Sequence, residues 1–307
     1  MSVFSHLPRR AATEFRKNGG PGFFRTMLGD FEVTALHDGG GTSFLRPELF
    51  RTDPAEAAAL LQKSFDPNKI VGSVAAFLVN TGEKLILADA GTGHHTMFGP
   101  LGRLLPNLTA SGYHPDQVDV VLVTHLHPDH VGGMTSLDGN RIFPNADIIA
   151  SRIEADFWFS AEAEKASLER DREFFGVARE AAAPYIAAGR WHTFDGAVEL
   201  FPNVSSYLLH GHTPGHTGYV FTSKGETLLV WGDIVNVADI QFQRPDIGII
   251  FDMNGSEADK TRQDVIERAA LERIMVGGTH LPFPGLGRIR KDGSGYSWMP
   301  AHYLEVL

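Results

Sequence analysis

Thr124-His-Leu-His-Pro-Asp-His-Val-Gly-Gly133 is the stretch that decides the fold, and it directly follows the apolar run 118–123, which reads as a strand. Residues two apart in an extended segment share a face, so His125 and His127 point to one spot just past the strand end. Pro128 forces a turn, after which Asp129 and His130 open a short helix whose first turn aims back at that spot. Gly132 and Gly133 let its backbone approach closely. Burying four such polar groups together is costly unless a cation joins them. Three histidines and a carboxylate exceed what one four-coordinate ion with an open position uses, which points to a second ion and to further ligands. The chain offers His216 within 210–218, Asp233 and His280, each beside an expected strand end, where α/β arrangements place their sites.

Working outward, β-rich runs cover 31–36, 74–79, 84–88, 147–150, 204–209, 219–222 and 227–231, separated by turn chemistry. Helical patterns cover 54–61, capped by Asp53 with Pro54 at the first position, then 101–110, 152–159, 165–188 and 256–273, the last capped by Ser256. His37-Asp38-Gly39 reads as the end of the first strand. Strands come in two batches around the central helices. That order predicts an α/β fold, an αββα sandwich of two mixed sheets flanked by helices, rather than regular βα alternation. Residues 1–30, basic and Gly-rich at first, read as an N-terminal arm, and 31–307 as a single domain without repeats.

The chain has 307 residues, 43% of them hydrophobic, and a net charge of −10, which together describe a soluble globular protein. With no dense Lys/Arg stripe, that acidity argues against nucleic-acid binding. The absence of cysteine leaves nitrogen and oxygen as the only ligand types and removes a thiolate nucleophile. No apolar run is long enough to span a membrane. The expected location is cytoplasmic as written, or periplasmic if a signal peptide has been removed. Of the remaining histidines, His94, His95, His114, His192 and His302 read as ordinary surface or hydrogen-bonded residues. His212 and Asp38 read as hydrogen-bonding support behind the ligands.

The His-x-His-x-Asp-His segment resembles the hallmark of the metallo-β-lactamase superfamily, and Thr213-Pro-Gly-His216, Gly232-Asp233 and His280 follow in the superfamily's order. Segments 28–36, 78–85, 98–103, 154–158, 238–242 and 280–289 are most similar to the methyl parathion hydrolase branch and its lactonase relatives. The resemblance implies two divalent ions, Zn²⁺ by default with Mn²⁺, Co²⁺ or Fe²⁺ as substitutes. One ion would sit on His125, His127 and His216, the other on Asp129, His130 and His280, with Asp233 bridging. It implies an aromatic substrate pocket at Phe98, Trp158 and Phe174, and a homodimer. No tyrosine can be assigned to assist the leaving group.

The expected activity is metal-dependent hydrolysis by a bridging hydroxide. Small apolar lactones and aryl esters rank first as substrates and organophosphate triesters second, with Asp129 and Asp233 as the catalytic carboxylates and Asp129 open to a proton-transfer role. Alternatives are a primary organophosphate hydrolase, a glyoxalase II-like thioester hydrolase, a nuclease, which the acidity opposes, and a metal-binding scaffold without turnover.

Overall fold

Side-chain alternation along the strands sets the layer order in this computed structural model, which describes residues 15, 19–42, 45–63, 70–95, 99 and 101–304. Strands β1 (Phe23–Leu28), β2 (Phe31–Gly41), β3 (Gly72–Asn80), β4 (Leu85–Ala88), β5 (Val120–Leu122), β6 (Asp147–Ser151) and β7 (Trp191–Phe194) hydrogen-bond in that order in one sheet. The second sheet runs β14 (Gly295–Pro300), β13 (Leu286–Asp292), β12 (Met275–Gly277), β11 (Glu226–Val230), β10 (Thr217–Ser223), β9 (Val204–Leu208), β8 (Glu199–Phe201). Both are mixed: β4–β5, β5–β6, β6–β7 and β11–β12 are parallel and the other pairs antiparallel.

Alternate residues of β3, Ala75, Phe77 and Val79, pack between the sheets against Tyr219, Phe221 and Leu228, while Ala76 and Leu78 face the other way. There they meet α2 (Leu104–Ala110), α4 (Arg152–Phe159) and α6 (Arg172–Ala187) through Leu104, Leu108, Trp158 and Phe175. On the outer side of the second sheet, Val265, Ile266 and Ala269 of α8 (Gly255–Glu272) cover Leu229, Trp231 and Val276. The expected αββα sandwich is therefore the observed architecture. Among the described residues, no helix is long and apolar enough to cross a membrane.

Several boundaries differ from the sequence reading. Of the residues read as an arm, Phe23–Leu28 are β1, paired antiparallel with β2; residues 1–14 and 16–18 lie outside the described residues. The first strand does not end at His37 but runs to Gly41 through a bulge between His37 and Gly39. The bulge leaves Asp38 free of the ladder, and its carboxylate accepts the backbone N–H groups of Thr92, Gly102 and Leu104. With Gly102 at φ +83°, this delays α2 until Leu104. The helix expected over 165–188 is two helices, α5 (Ala161–Ala166) and α6, because Ser167 and Leu168 are extended. The cap of α8 is Asn254, whose side chain accepts from Glu257 N, and not Ser256.

Candidate metal centre

Asp89 and the His125–His130 segment lie beyond the C-terminal ends of neighbouring parallel strands β4 and β5, and Asp233 and His280 lie beyond those of the parallel pair β11 and β12. His212 follows β9, so both sheets deliver polar side chains to one end of the sandwich. Asp89, at φ +62°, accepts from Thr124 N (2.8 Å), from Thr124 Oγ1 (2.8 Å) and from His130 Nδ1 (2.8 Å). Thr124 Oγ1 also faces His125 Nδ1 at 3.1 Å. These contacts fix both imidazoles by their Nδ1 atoms, which leaves the buried Nε2 of His125 with no hydrogen-bond partner and turns that of His130 toward Asp233.

Glu154 of α4, fully buried, ties the two ligand-bearing loops together. Its Oε1 accepts from Leu126 N (3.0 Å), between His125 and His127, and from Trp158 Nε1 (2.7 Å). Its Oε2 accepts from Thr213 Oγ1 and Gly215 N, both at 2.8 Å, on the loop after β9. Burial raises the Glu154 pKa, against the pull of those four donors.

The loop after β9 carries the main correction to the sequence reading. His216, expected as a ligand, has both ring nitrogens engaged: Nδ1 donates to Leu209 O (2.9 Å) and Nε2 accepts from Asp233 N (3.2 Å). Its neighbour Gly232, at φ +57°, has no room for a side chain, because a Cβ there would lie 2.5 Å from His216 Nε2. His212, expected as support, instead presents Nε2 to His127 Nδ1 (3.1 Å) and to Asp233 Oδ2 (3.4 Å). Its Nδ1 is held by Asp252 Oδ1 at 2.9 Å, and Asp252 is in turn paired with Arg262 and Arg51. It is therefore His212, and not His216, that turns a ring nitrogen toward the cluster. Ligand-type atoms of His125, His127, His212 and Asp233 gather in one group, and those of Asp129, His130 and His280 in another, all within 4.8 Å of one another in each group.

Asp233 lies between the groups. Its Oδ1 is 3.0 Å from His130 Nε2 and its Oδ2 3.0 Å from His280 Nε2, while Asp129 Oδ2 is 3.4 Å from His280 Nε2. His280 Nδ1 donates to Ser73 O (2.8 Å), so a neutral His280 would turn a lone pair toward two carboxylates. A positive charge on the ring, or an ion between these groups, reconciles that geometry. Without an ion the charge comes from protons: burial acts to lower His280 and His130, yet Asp233 and Asp129 outweigh it, and Asp89 adds to them at His130. His280 is driven to about 9 and His130 well above its usual range. His125 and His127 go the other way, pushed well down by burial and then by neighbouring imidazoles. The donor set, all nitrogen and carboxylate oxygen with orphaned Nε2 atoms, fits two divalent cations.

A cavity opens over these groups. His127, Asp129, His212, Asp233 and His280 form its floor, and Leu45, Val74, Leu101, Phe174, Ile249 and Phe251 line its walls. Phe174 is on the wall as expected. Trp158 is not; it is fully buried behind His127, edge-on to that ring at 5.3 Å and bonded to Glu154. Phe98 lies outside the described residues. Asp38 supports the 91–104 loop rather than a ligand.

Three residues went unnoticed in the sequence. Asp89 and Glu154 act through partners up to 61 positions away, which no local pattern reveals. Asn236 lines the cavity, donating Nδ2 to Asp233 Oδ2 at 3.2 Å while its buried Oδ1 has no partner.

Residues 70–280 match the profile described as the Metallo-beta-lactamase superfamily. A solved structure of AbOPH, described as a hydrolase in the beta lactamase superfamily, is similar at TM-score 0.87 and 36% identity, covering 94% of this chain and all of that one. AidC, described as a dizinc quorum-quenching lactonase in complex with a product N-hexnoyl-L-homoserine, is similar at TM-score 0.82 and 29% identity, covering 92% and 99%. The N-acyl homoserine lactonase AiiA of Bacillus thuringiensis subsp. kurstaki is 26% identical over 190 residues, 55% of this chain and 67% of AiiA.

Proposed function

Because the chain belongs to the metallo-beta-lactamase superfamily and is a metal-dependent hydrolase of that family, we propose that it opens the ring of N-acyl homoserine lactones and related apolar lactones. The observation that carries this reading is an apolar-walled cavity whose floor is the carboxylate–imidazole cluster. The lactonase relatives support it. One ion would be held by His125, His127 and His212 and the other by Asp129, His130 and His280, with Asp233 shared between them. Zinc is the expected metal. Bound there, the two ions would supply a water nucleophile at neutral pH and a Lewis acid for the carbonyl oxygen.

The chain's own groups do the rest. Phe174, Phe251 and Ile249 seat the acyl chain and exclude water from the cluster. Asn236 holds the shared Asp233 by its Oδ2 and leaves its own Oδ1 to accept an amide N–H from substrate. In this reading Asp129, which lines the cavity floor, takes the proton of the attacking water and returns it to the leaving alkoxide. Aryl phosphotriesters of the methyl parathion type are the secondary substrates, since attack at phosphorus needs the same polarised oxygen. A homodimer is part of this proposal, checked by light scattering. The test of the reading is lactone turnover by metal-saturated protein before and after chelation.

A further inference from the structure

The loop between β4 and α2 places two adjacent histidines against α6, apart from the cluster described above. His94 Nε2 is 3.3 Å from Glu180 Oε1, and the rings of His94 and His95 sit 4.2 Å apart, tilted by 32°. One nitrogen from each ring and a carboxylate oxygen of Glu180 lie within 4.8 Å of one another. His94 Nδ1 and His95 Nε2 are buried and find no hydrogen-bond partner. One unmet buried nitrogen on each ring of a histidine pair, with the other His94 nitrogen already turned to Glu180, is unusual for residues that only stabilise a fold, because each unmet nitrogen costs free energy.

The backbone under the pair is preorganised. Thr92 N is held by Asp38, Gly133 N by Gly91 O, and His95 N by Thr92 O. Gly93, at φ +62°, presses so closely on Gly132 that a Cβ would lie 2.4 Å from its carbonyl oxygen. Glu173, two turns before Glu180 on the same face of α6, adds negative potential at His95. Burial, and then His94, hold the His95 imidazole below its ordinary pKa, so its lone pair is open at neutral pH.

We propose that His94, His95 and Glu180 form a further divalent-metal site of the His₂–carboxylate class, separate from the dinuclear cluster, with Zn²⁺ as its natural occupant. A partly exposed site of three protein ligands keeps a coordination position for water. It ties the β4–α2 loop to α6, the helix that supplies Phe174 to the cavity wall.

Enzyme holding two ions per chain is titrated calorimetrically with Zn²⁺, and its metal content is measured after gel filtration. Wild type is expected to take up and retain one further ion per chain. His95→Ala and Glu180→Gln are each expected to lose that ion while keeping the other two and turning over lactone as before. Glu180 is 45% exposed, so its replacement leaves the core intact. The proposal is overturned if wild type takes up no further Zn²⁺, or if both variants retain it, which would mark the ion as adventitious. Because the readout is the further ion and not lactone hydrolysis, a failure here is distinct from a failure of the lactonase reading.

Discussion

His212 and His216 stand four residues apart in one loop, and what separates them is which ring nitrogen is left over. His216 spends both on Leu209 O and Asp233 N, whereas His212 spends one on Asp252 and aims the other at His127 and Asp233. Sequence spacing cannot distinguish two imidazoles in His-Thr-Pro-Gly-His, which is why the motif marks the loop but not which of its histidines faces the cluster. His212→Ala should leave fewer than two ions per chain after gel filtration, and His216→Gln should retain both. Glu154→Gln puts an amide N–H against one of four donors. It should weaken metal retention about 10–100-fold, measured by chelator competition, and lower stability by about 1–3 kcal/mol in urea melts. Trp158→Ala, at a fully buried site, should cost about 3–5 kcal/mol of stability, outweighing any shift in substrate preference. Phe174→Ala should act instead on KM, rising with acyl-chain length, because the ring lines the cavity.

Whole elements differ in how openly the sequence announces them. The alternating runs of β3, β10 and β11 were legible because their inward faces are apolar on both sides of a sheet. The edge strands β1, β8 and β14 were not, because they are partly exposed and break the apolar alternation, so their existence rests on hairpin pairing with β2, β9 and β13. A capping residue was misread at α8 because Asn254 and Ser256 are both good caps, and only the backbone shows which one meets Glu257 N. At this scale the bulge at Asp38 is the testable device. Asp38→Ala releases three backbone N–H groups of the 91–104 loop. Hydrogen exchange in that loop should accelerate and KM should rise, with β2 and β3 remaining protected.

The whole molecule separates stability from chemistry. Its three large apolar layers, one between the sheets and one under each helical face, are built without the metal cluster. Metal-free protein should stay folded and lose only the linkage terms, about 2.7 kcal/mol for each ion at a hundredfold excess of metal over Kd. Calorimetry in chelator should show a lowered Tm and a single cooperative transition. The superfamily and the αββα order were legible from one ten-residue segment and the batching of strands, whereas the keystone contacts of Asp89 and Glu154 required the fold that joins distant loops. The most direct test of the central claim is kcat/KM for an N-acyl homoserine lactone and for a dimethyl aryl phosphotriester, before chelation, after it, and after return of two equivalents of Zn²⁺. The account predicts a lactone preference of about a hundredfold, or about 2.7 kcal/mol in transition-state binding, lost with the metal and restored with it. Undiminished lactone hydrolysis by protein stripped of metal, or none by protein holding both ions, would contradict it.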